Sequence, residues 1–183
     1  MLYQISLQTA GVAVGIFLLL ISLAGLTKPA ILQTWAKRLP RSRAAGVVLL
    51  SVAFAWSMWL LATMEMGEFS NFRRPLLIVV PIGFLLVLRF VDEFLAVRSL
   101  GILCLLAAEP LIDAAFLRYE PSRLIVTVFA YLLVIAGLFW VTMPYLLRDQ
   151  IDWSAHSNMR WHFLHGIALI YGAVTLGLAL TLF

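Results

Sequence analysis

An all-α bundle of about six transmembrane helices, arranged as three hairpins, follows from three features of this 183-residue chain. Hydrophobic residues make up 63% of it and charged residues 12%. An ordinary globular domain has roughly half and a quarter, so the excess apolar surface has to face lipid or other membrane helices. Long runs free of Asp, Glu, Lys and Arg recur along the chain, each near the roughly 20 residues that a helix needs to cross a hydrocarbon core of about 30 Å. The period-2 alternation of barrel strands is absent, and helices satisfy the backbone of continuous apolar runs within lipid.

Taken in order, residues 9–27 form the first run. No basic segment precedes it and the cations follow it, so it is expected to stay in the mature protein rather than be cleaved as a signal peptide. Residues 28–43 mix Ile31, Leu32, Trp35 and Leu39 with lysine and arginine and end near Pro40, which predicts a short amphipathic helix lying in the membrane interface. A second span covers 44–64. The stretch 75–117 is interrupted by Arg89, Asp92, Glu93 and Arg98 and again by Glu109 and Asp113. It reads as two helices, 75–97 and 99–117, meeting at Arg98-Ser99-Leu100-Gly101, with a re-entrant hairpin as the alternative. Spans at 124–147 and 163–183 complete a single integral membrane domain over 1–183. Pro81, Pro110 and Pro144 fall within or near the ends of three spans and are expected to bend them. Arg43-Ala44-Ala45-Gly46 and Arg98-Ser99-Leu100-Gly101 open the second and fourth spans alike, which suggests hairpins sharing one plan, the parallel-repeat device of some transporters.

Orientation follows from the cations. With the N-terminus outside, Lys28, Lys37, Arg38, Arg41, Arg43, Arg89, Arg98, Arg148 and Arg160 fall on the inner face, leaving Arg73, Arg74, Arg118 and Arg123 outside. The positive-inside bias therefore predicts a cell (inner) membrane protein with both termini on the non-cytoplasmic side. The net charge of +4 is accounted for by anionic headgroups rather than nucleic acid. Cys104 is alone in the chain and lies in an apolar stretch, so no disulfide framework exists and a buried, inert thiol is expected. Gly11 with Gly15, Ala168 with Gly172 and Ala173 with Gly177 have the small-xxx-small spacing that lets helix backbones approach closely.

The chemistry concentrates in two places. Arg89, Asp92, Glu93, Glu109 and Asp113 form a candidate intramembrane charged network, with Glu109 and Asp113 one turn apart on a single helix face. An ionised acid at that depth costs several kcal/mol unless it is paired, protonated or reached by water. Three alternatives stand: an Arg89 to Glu109 pair fixing helix register, a proton or ion path through Glu109 and Asp113, or a span boundary that leaves Asp113 at the outer surface near Arg118. His156, His162 and His165 cluster at the start of the last span. A neutral imidazole can ligate a haem iron or a chlorophyll-type magnesium, or bond to a quinone carbonyl, although no histidine elsewhere could supply a second axial ligand. Phosphate-binding glycine loops, nucleophile elbows and metalloprotease patterns are missing, so neither a catalytic nor a metal site is expected.

With no room for a soluble catalytic domain, a subunit or assembly partner of a larger membrane complex, embedded in membrane lipids beside other membrane protein subunits, is expected before a free-standing enzyme. A small transporter or channel using Glu109 and Asp113 is the second class. A membrane redox or pigment-binding subunit using the last-span histidines is the third.

Overall fold

The computed structural model describes residues 3, 5–91 and 93–182. Among them are eight α-helices: α1 Leu7–Thr27, α2 Pro29–Arg38, α3 Arg43–Thr63, α4 Arg73–Phe90, α5 Leu95–Ala115, α6 Arg123–Thr142, α7 Tyr145–Ala155 and α8 Asn158–Thr181. Six of these, α1, α3, α4, α5, α6 and α8, are long and apolar enough to cross a membrane. The chain is thus an integral, multi-pass, all-α membrane protein.

Local chemistry sets several boundaries. Ser6 caps α1 by accepting the Thr9 N–H at 3.1 Å, and Ser42 caps α3 by accepting that of Ala45 at 3.2 Å. These caps satisfy backbone donors that a helix start leaves free. Pro29 opens α2, where its fixed φ suits the first turn and its missing N–H costs nothing. The expected short helix is therefore present, and its exposed Ile31 and Trp35 suit an interfacial setting.

Two boundaries differ from expectation. The break in the central stretch falls at Val91 to Phe94 rather than at Arg98 to Gly101. Phe94 takes a left-handed conformation, φ 55°, and α5 begins immediately after it. Ser99 does not end a helix. Its hydroxyl folds back onto the Leu95 carbonyl at 2.7 Å and lies 3.3 Å from the Gly46 carbonyl of α3. The span expected at 124–147 stops at Thr142, and a separate helix, α7, starts after Pro144. Like α2, α7 is amphipathic, burying Leu147 and Ser154 while exposing Trp153.

Helix pairing runs across the hairpins rather than within them. The closest partners are α1 with α8, α5 with α6, α3 with α5 and α3 with α4, and α5 is central because it also meets α1. Glycines set the tightest crossings. A methyl group on Gly15 would lie 3.1 Å from the Gly172 carbonyl oxygen, and one on Gly101 would lie 2.9 Å from that of Gly137. Gly15 and Gly172 thus act as the small-residue spacing predicts, whereas Ala173 and Gly177 face outward. Leu7, Ala10, Ala114, Ala115 and Val126 form a buried cluster where α1, α5 and α6 meet at one end of the bundle. By contrast, α4 buries none of its residues.

Candidate functional site

The central helix α5 presents three faces to neighbours and one to the surroundings. Ser99 and Ala96 turn toward α3, Gly101 toward α6, and Ala114 and Ala115 toward α1. With 100° between successive residues, Glu109 falls on the remaining open side, between α3 and α6. It is exposed accordingly. The midpoint of α5 is Leu105, so at 1.5 Å per residue Glu109 lies about 6 Å and Asp113 about 12 Å from mid-span. Asp113 therefore lies toward the C-terminal end of α5, and it lines one cavity with Arg118.

Two cavities meet along this face. One of about 470 Å³ is bounded by Tyr3, Ile5, Ser6, Asp113 and residues 114 and 116–118. The other, about 440 Å³, lies between α5 and α6 and holds Glu109, Asp113, Leu105, Ile112, Phe116 and Val134. Asp113 and Phe116 border both. Tyr3 roofs the site from the segment before α1. Its hydroxyl accepts the Trp56 indole N–H at 2.6 Å, its ring lies 5.6 Å from that of Trp59, and it interacts with the Glu109 carboxylate. Burial pushes the Tyr3 phenol above its usual 10.0; the Trp56 hydrogen bond opposes this and the negative Glu109 adds to it.

The rest of the proposed network is scattered. Arg89 lies one residue from the end of α4 and is exposed. Glu109 is 14 residues beyond the start of α5, a depth difference of about 20 Å. Among the described residues no ion pair joins Arg89 to Glu109, and α4 leans on α3 instead. Glu93 is exposed in the turn between α4 and α5, and Asp92 lies outside the described residues. Arg98, which the sequence places only as a flanking charge, is partly sheltered. One of its terminal nitrogens donates to the Val141 carbonyl at 3.3 Å, while its Nε is buried with no partner among the described residues.

The three histidines do not converge. His165 fits into the notch at Gly25, where an added methyl group would lie 1.9 Å from its ring, and it is 4.4 Å from the Trp161 ring. Its Nδ1 is 2.9 Å from the Trp161 carbonyl, and the Trp161 indole donates to the Gly25 carbonyl at 2.9 Å. His165 is therefore part of the α1–α8 contact, a role signalled in the sequence only by the glycine opposite it. His162 is exposed, with Nδ1 2.6 Å from the Asn158 carbonyl, and His156 is exposed at the end of α7. No group of three His, Cys, Asp or Glu side chains placed to hold a metal occurs among the described residues.

Comparison with family models, characterised proteins and solved structures returns no match.

Proposed function

We propose that this chain is a subunit of a larger membrane assembly and that the open face of α5 receives a helix from a partner subunit. The observation that carries this reading is the exposure of Glu109 about 6 Å from mid-span. Apolar side chains facing outward do not distinguish lipid from protein. An acid does, because placing one near the centre of a spanning helix costs about 2.5–3.5 kcal/mol on insertion scales. A partner helix bringing an amide, hydroxyl or cationic donor to Glu109, beside the Tyr3 hydroxyl already there, lowers that cost further, and Leu105, Ile112, Phe116 and Val134 supply apolar contact around it. The distribution of lysine and arginine supports an inner-membrane setting with α2 and α7 on the cytoplasmic side.

In mild detergent the protein should run as an assembly of fixed stoichiometry, heavier by light scattering than the 20.5 kDa chain. Glu109→Leu should release the chain from it without loss of helix content. A monomer before and after the substitution removes the reading.

A transporter reading draws on a different observation. The two cavities share Asp113, so polar groups line a route from the surface at Arg118 to Glu109. In liposomes Glu109→Gln should then abolish pH-dependent cation flux, whereas unchanged flux excludes that acid from a pathway.

A further inference from the structure

The helices α2 and α7 meet on the face opposite Tyr3, and between them lies a small basin that plays no part in the site on α5. Its volume is about 200 Å³, and its walls are Lys37, Pro40, Arg41, Arg148, Ile151 and Asp152. Three cations thus surround one concavity against a single carboxylate. They come from separate elements: the last turn of α2, the 3-10 turn Leu39–Arg41, and the first half of α7. Buried Pro40 anchors that turn, which packs on α5.

The guanidinium of Arg148 is held in place before any ligand arrives. Its Nε and one terminal nitrogen lie 2.9 and 2.8 Å from Asp149 Oδ1, and its carbon is 6.0 Å from the Phe94 ring centre. The other terminal nitrogen stays available for a second anion. Lys37 and Arg41 form no ion pair among the described residues. Exposed Trp35 on α2 and Trp153 on α7, the latter 4.9 Å from the Arg160 guanidinium, place the basin at the level of lipid headgroups.

We infer that this basin binds a phosphate group, carried by an anionic phospholipid headgroup or by a free phosphate. A fixed guanidinium and two cations outside any ion pair match the several acceptor oxygens of a phosphate. Basic pockets at this level of a membrane protein suit headgroups. Asp152 sets the net charge of the basin and opposes the ligand.

The test is native mass spectrometry of the detergent-solubilised chain with phosphatidylglycerol, with phosphatidylcholine, and with inorganic phosphate alone. Phosphatidylglycerol should bind in preference to phosphatidylcholine. Lys37→Gln with Arg41→Gln should weaken it about thirtyfold, at about fivefold per interfacial cation. Asp152→Asn should tighten it, and Lys28→Gln, on the same face but outside the basin, should leave it unchanged. Retention of inorganic phosphate with the same variant pattern assigns the site to free phosphate, while lipid retention alone assigns it to a headgroup. Equal binding by the wild type, the double variant and Asp152→Asn for both ligands overturns the proposal.

Discussion

Adding one carbon at the α5–α6 crossing should open the bundle measurably. A methyl on Gly101 would lie 2.9 Å from the Gly137 carbonyl oxygen and 3.1 Å from the Val141 nitrogen, where ordinary contact begins at 3.4 Å. The obstructing atoms include backbone on both counts, so the helices must part by about 0.5 Å, a gap that forfeits roughly a quarter of the dispersion energy along the seam. Overpacking of this kind costs about 1–3 kcal/mol, and alanine's better helix propensity returns about 0.8–1. Gly101→Ala should therefore destabilise the protein by up to about 2 kcal/mol. Gly137→Ala meets the Gly101 carbonyl at 2.8 Å and should behave alike. Since parting the helices once makes room for both methyls, the double variant should cost less than the two singles added. Gly83, in α4, has no atom within 4 Å of such a methyl, so Gly83→Ala should be neutral or stabilising. Unfolding by titration with sodium dodecyl sulfate, followed by circular dichroism, reads all four. If Gly101→Ala and Gly83→Ala shifted the midpoint equally, the close-approach argument would fail.

Gly25→Ala should displace the His165 ring and loosen α1 from α8 by about 2 kcal/mol; removing the ring as well, with His165→Ala, should restore part of the loss, and the same titration checks both. Tyr3 provides a pH test. Because folding raises its phenol pKa, the contribution is complete below the unfolded value of 10.0 and is lost as pH climbs through the higher folded value. Absorbance of the phenolate should show Tyr3 ionising later in the folded protein than after unfolding, a difference removed in Tyr3→Phe.

The spans were legible because lipid imposes one rule, length of apolar run, on every crossing helix. Their pairing was not. Nothing in the composition of residues 7–27 says that Gly15 meets Gly172 rather than a residue of α3, because apolar faces look alike until packed. The central break was misplaced because Arg98 and Ser99 resemble a turn. In the fold, Ser99 satisfies its hydroxyl on its own helix, and Phe94 carries the reversal by an uncommon left-handed backbone. The helix α7 was missed although Pro144 followed by Leu146, Leu147 and Ile151 carried its signal, because the apolar run of α6 continues into Leu146 and Leu147. At the candidate site, the spacing of Glu109 and Asp113 fixed their shared face, while Tyr3 came from a segment whose position only the tertiary structure defines.

The partnership of α1 with α8 also has a consequence for biosynthesis. The helix α1 is synthesised well before α8, its main packing partner, so it waits in the bilayer with Gly15 and Gly25 uncovered while the intervening helices are inserted. Final closure is a late event. A nascent chain arrested before Gly172 presents these glycine notches to whatever chaperone or protease patrols the bilayer, and the arrival of α8 hides them.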